Sequence, residues 1–129
     1  MADPVVPVSW GELLDKVAIL EIKGRRLRAP DAVAHTDAEL AALRPALAML
    51  DPPPAGLAEL RAALSAVNLR LWTIEDRLRE KEAAGEFGPE FVALARSVYR
   101  ENDERGRIKR AINVLLGSGL IEEKQYAAY

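Results

Sequence analysis

Asn68, Trp72, Glu75, Asn102, Arg105, Lys109 and Asn113, with Glu21 as an eighth, are the residues whose types and spacing could do chemistry in this chain. At about 100° per residue, Asn102, Arg105, Lys109 and Asn113 project within about 40° of Phe91 on a helical wheel. They fall on the stripe that Phe91, Ala95 and Val98 begin and that Ile112 and Leu116 finish. A helix whose core-facing stripe turns polar and basic must meet something charged there. Arg105 offers a planar fork for carboxylate or phosphate, and Lys109 offers a point charge. Asn68, Asn102 and Asn113 would orient a bound group, and Trp72, one turn from Asn68, would wall the pocket. Glu75 and Glu21 would position the cations, or act as acid or base if a reaction occurs. The chemistry this set suits best is recognition of an anionic small molecule.

Three readings stay open beside each other. The first is that ligand site. The second is a structural or interaction subunit, with Arg105 and Lys109 paired to Glu75 and Glu21 or with the polar stripe buried in a homodimer seam. Buried charges are costly unless paired, so either form satisfies the stripe without a ligand. The third is a small all-helical enzyme, mutase-like or a metal-dependent hydrolase.

Helices must position these residues, and the pattern is all-α throughout. Ser9-x-x-Glu12 and Thr36-x-x-Glu39 are capping boxes, which predict helices over about 10–27 and 36–50, with His35 in the loop before the second. The first is apolar almost all round, as a central helix is. Pro45 predicts a kink or a break in the second. The proline-rich stretch 51–56 is a stiff linker. Leu57, Leu60, Leu64, Val67, Leu71, Ile74 and Leu78 form the stripe of a helix over 57–84. Gly85 can end that helix, Pro89 can open the next, and Gly117 can end it near residue 116. The result is a single helical domain over 1–129: a long antiparallel hairpin packed on the N-terminal helix, with a short tail at 118–129. With the turn between Glu86 and Phe87, Asn68 lies level with Arg105.

Composition narrows the function. The chain has 129 residues, no cysteine, one histidine and a formal net charge of −2. Disulfides, thiolate chemistry and Cys-ligated zinc are therefore excluded. The acidic balance argues against nucleic acid, although the run from Arg96 to Arg110 is locally basic. No segment is apolar enough to span a membrane, and the start lacks a secretory pattern, so a cytoplasmic location is expected. No cofactor is indicated. Glu12-x-x-Asp15 and Glu101-x-x-Glu104 have the spacing of a carboxylate metal site, but Glu12 belongs to a cap, and Asp15 beside Lys16 reads as a surface ion pair. The reading includes no metal.

Several stretches resemble an uncharacterised family of small bacterial helical proteins, a domain of unknown function. They are V-P-V-S-W-G-E-L-L-D-K-V-A-I-L-E-I-K (6–23), N-L-R-L-W-T-I-E-D (68–76), F-V-A-L-A-R-S-V-Y-R-E-N-D-E-R-G-R-I-K-R-A-I-N (91–113) and L-I-E-E-K-Q-Y (120–126). The likeness covers nearly the whole chain except 25–66. It implies a helical domain occurring alone or beside modules of bacterial surface-sugar assembly, and it implies no reaction. The family's signature residues fall on Glu21, Asn68, Trp72, Glu75, Asn102 and Lys109. P-E-F-V-A-L-A-R-S-V-Y-R-E-N (89–102) also resembles the last helix of helical chorismate mutases, which bind a dicarboxylate among Arg, Lys, Glu and amide side chains. Their long first helix with spaced arginines is missing here, so no catalytic residue is carried over.

Overall fold

The computed structural model describes residues 1–129. It contains four helices and no strand: α1 (Trp10–Arg26), α2 (Pro30–Ala48), α3 (Leu57–Ala84) and α4 (Pro89–Leu116). The hairpin of α3 and α4 has the bounds the sequence predicts. Gly85 ends α3 at φ +68° and Gly117 ends α4 at φ +66°, left-handed positions that glycine occupies without a Cβ penalty. Pro89 opens α4, where its missing N–H costs nothing.

α1 is the central element, touching α2, α3 and α4. Its start is closed by α4. The Trp10 amide donates to Ser118 Oγ at 2.9 Å, Gly11 to Asn113 Oδ1 at 2.7 Å, and Glu12 to Ser9 Oγ at 3.1 Å. The amides that a helix start leaves unpaired are thus met, one by Asn113 of α4 and one by Ser118 just past its end. The backbones come close because residue 11 has no side chain. A Cβ there would lie 2.5 Å from the Lys109 carbonyl oxygen and 2.9 Å from Asn113 Oδ1.

α2 differs from expectation. It begins at Pro30 rather than at Thr36, with Asp31 in its first turn and Ala29 as a cap without a side-chain bond. Proline at the first helical position presets φ and needs no amide partner, so the helix starts there and Thr36 becomes a buried interior residue. His35 is helical as well, not in a loop. Glu39, expected to complete a capping box, pairs with Lys16 at 2.7 Å. Pro45 does not split the helix, which continues to Ala48. α1 ends one residue before the expected boundary, with Leu27 as its cap.

The core is a cluster of Leu14, Ala18, Leu57, Leu64, Val67, Ile108 and Ile112. It gathers the first half of α1, the first half of α3 and the last third of α4. Past Asn68 on α3, and before Ile108 on α4, no residue is buried. Leu71, Ile74 and Leu78 continue the predicted stripe but are only half-buried. No helix is long and apolar enough to cross a membrane.

Gly11→Ala should lower stability by about 1–3 kcal/mol, because the added methyl meets backbone that cannot yield. Gly24→Ala, in the same helix with open space around it, should instead raise stability by about 0.5–1 kcal/mol. Chemical denaturation of the two variants checks the contrast.

Candidate functional site

The polar residues converge on Asp15, which is 1% exposed. Arg105 Nε donates to Asp15 Oδ1 at 3.0 Å and to Oδ2 at 3.1 Å, and Arg105 Nη2 also donates to Oδ2. Asn68 Nδ2 donates to Oδ1 at 2.9 Å, and Lys109 Nζ lies 3.8 Å from Oδ2. One carboxylate on α1 therefore holds an amide from α3 and cations from α4.

The expectation of a surface pair with Lys16 is overturned. Lys16 turns outward to Glu39, while Asp15 shares a face with Gly11, Ala18 and Ile22, all of them buried. Spacings of four, three and four residues put those positions in one row. The row was present in the sequence, but an acid beside a lysine reads as solvated.

Lys109 has a second set of partners. Its Nζ donates to Glu12 Oε2 at 2.8 Å and to Glu122 Oε2 at 3.0 Å. Only half of the Ser9 capping box forms, because the Glu12 carboxylate is drawn to Lys109. Burial alone would lower the Lys109 ammonium, but Glu12 and Glu122 outweigh it and raise it above its ordinary value. Arg105 is likewise raised, chiefly by its bonds to Asp15.

The eight candidate residues fall into three places. Asn68, Trp72, Glu75, Asn102 and Arg105 line one cleft of about 480 Å³, together with Ile19, Leu71, Asp76 and Arg79. Lys109 and Asn113 are not part of it; they line a separate cavity of about 250 Å³ beneath the C-terminal segment. Asn113 spends its side-chain oxygen on the Gly11 amide. Glu21 is exposed on α1 and lines neither space. Glu75 faces Arg79 at 3.9 Å rather than Arg105. The cations thus pair with Asp15, Glu12 and Glu122, not with Glu75 and Glu21.

In the cleft, Arg105 is pinned along its Nε–Nη2 edge and open along the other. Nη1 makes one long contact, 3.4 Å, to Asn102 Oδ1. The side chain is 28% exposed.

The remaining carboxylates do not assemble a metal site. Glu101 pairs with Arg70 at 3.0 Å and Glu104 with Arg107 at 2.7 Å, and no group of three or more His, Asp or Glu is placed to hold an ion.

Sequence reasoning missed Glu122 and Glu123, which pair with Lys109 and with Arg110, the latter at 3.3 Å. An irregular segment has no periodicity to betray its contacts. Compared with family models, curated proteins and solved structures, the chain matches none. The family resemblance therefore rests on the sequence motifs alone.

Docking of residues 120–129 should depend on pH at both ends. Lys109 holds the Glu122 carboxyl below its ordinary 4.5, with Lys124 and Arg105 adding to the effect. A lowered carboxylate contributes fully above the ordinary value and is lost as pH falls through the lowered one. Tyr129 donates to Asp103 and is raised above its ordinary 10.0. Its contribution is complete below 10.0 and lost as pH rises through the raised value. Methyl order parameters of Ala127 and Ala128, read by NMR relaxation, should be highest between these limits and fall beyond either.

Proposed function

We propose that the chain is a non-catalytic binding module whose cleft recognises a small molecule bearing a carboxylate or phosphate. Arg105 carries this reading. A buried aspartate fixes its guanidinium through Nε and Nη2, Nη1 reaches only Asn102, and Arg105 lines the cleft together with Asn102 and Trp72. Holding a recognition side chain rigid from behind lowers the ordering cost of binding. The acidic group would meet Arg105 and the Asn102 amide, and the remainder would lie on the Trp72 ring. Glu75 and Asp76 on the rim leave space for a hydroxyl or amine elsewhere on the ligand. A ligand from bacterial surface-sugar assembly, the expectation carried by the sequence motifs, would meet the same donors. Lys109 and Asn113 leave the ligand set, because α1 and the tail already engage them.

A purely structural role is the second reading. Its support is that no buried side-chain polar atom lacks a partner, so the network closes without a ligand.

Trp10→Phe leaves Trp72 as the sole indole, and its fluorescence can be titrated with a panel of mono- and dicarboxylates and phosphate monoesters. The expected result is saturable quenching by at least one class. Arg105→Lys, which keeps the charge on Asp15 but loses the fork, and Asn102→Ala should each weaken it about tenfold. Failure of every compound to saturate, or affinities indifferent to both variants, would overturn the cleft reading in favour of the structural one.

A further inference from the structure

A cavity of about 270 Å³ lies between α1, Glu39 of α2 and Arg105 of α4. Ile19 and Arg105 line both this cavity and the Trp72 cleft, so the two spaces meet at those residues. The three carboxylates on the cavity wall are already engaged. Lys109 holds Glu12 at 2.8 Å, Lys16 holds Glu39 at 2.7 Å, and Arg105 holds Asp15 through both oxygens. The one other charged residue on the wall is Lys23.

Lys23 stands apart from the other sheltered lysines. Lys81 meets Glu86 at 2.8 Å and Glu90 at 2.9 Å, and Lys109 meets Glu12 and Glu122 at 2.8 and 3.0 Å. Lys23 is half-buried as well, yet it has no carboxylate within 4.0 Å and donates no hydrogen bond. A cation that gives up water without gaining a partner costs folding free energy. The attraction of a helix C-terminus for basic residues does not require this cost. Arg25 and Arg26, in the same last turn of α1, are exposed to solvent. Lys23 alone turns towards the cavity.

We propose that the ligand of the cleft carries two acidic groups and that the second binds Lys23. The inference rests on the cleft reading above and narrows it. The first group meets Arg105 and Asn102, and the link between the groups crosses Ile19. Lys23 lies four residues beyond Ile19, about 6 Å along α1. The link is therefore apolar and about one helical turn long. A carboxylate or a phosphate serves at the second position, because an ammonium is a point charge without the directional fork of arginine. Only a two-headed molecule brings Lys23 the partner that the fold does not supply.

Calorimetry on the wild-type chain with two matched pairs of compounds tests this. The pairs are adipate against hexanoate, and a six-carbon bisphosphate against hexyl phosphate. Members of a pair share one chain length and differ in the second acidic group. At least one two-headed compound is expected to bind about tenfold more tightly than its match. Lys23→Gln should erase that advantage and leave the one-headed compound unchanged. Its thermal midpoint should stay that of the wild type, since Lys23 has no partner in the fold to strand. Acetylation of the wild-type lysines, read by mass spectrometry, is a second readout that needs no variant. The two-headed compound should protect Lys23, and its match should not. A two-headed compound that binds no better than its match, or keeps its advantage in Lys23→Gln, would overturn the inference. The cleft reading would survive that result wherever the one-headed compound still depends on Arg105. Absence of binding by all four compounds would remove both.

Discussion

A carboxylate buried among helices must be met by charge and hydrogen bonds or it unfolds its surroundings, and Asp15 imposes that constraint here. Its demands fix the relative positions of three helices. Arg105 must approach from α4 and Asn68 from α3, at one level along α1. Both bind the same oxygen, Oδ1. The apolar cluster below them is non-directional and would tolerate some sliding; the shared oxygen does not. Burial of Leu14, Val67 and Ile112 supplies the attraction, and Asp15 supplies the register.

The same register brings the start of α1 against the end of α4. Gly11 can approach Lys109 only if the helices are placed this way, and Asn113 and Ser118 then cap α1 from outside it. Above Asp15 the arrangement reverses: the apolar stripe of α3 runs on while no residue of it is buried. Close packing of α3 and α4 ends at the ion pair, although α1 stays buried through Ile22; the cleft begins there, with Arg105 belonging to both. A ligand in the cleft, as proposed, would act on the same side chain that anchors the bundle.

The legible parts of this molecule were those in which one residue carries the local physics. Gly85, Pro89 and Gly117 set the hairpin bounds by their own backbone limits, and counting outward from the turn put Asn68 level with Arg105, which meets the same Asp15 oxygen. The polar stripe of α4 was also readable, and its need for charge was correctly inferred. The identity of that charge was not. Glu21 and Glu75 looked suitable by sequence spacing, but Asp15 lies on the row Gly11–Ala18–Ile22, where a small residue and two apolar ones mark the buried face. α2 shows a different failure: two valid start signals competed, and Pro30 prevailed over Thr36 because nothing downstream forbids the earlier start. Glu122 was beyond reach, since its contact is set by where an irregular chain happens to cross α4.

The central claim is that Asp15 and Arg105 act as one unit. A double-mutant cycle of Asp15→Asn and Arg105→Met, measured by urea unfolding, tests it most directly. The account predicts that each single change destabilises by leaving a partner unmet, and that the double variant recovers part of the loss, with a coupling of about 2 kcal/mol or more. Additive costs within about 0.5 kcal/mol would mean the two residues do not depend on each other, and the register would have to come from the apolar core alone.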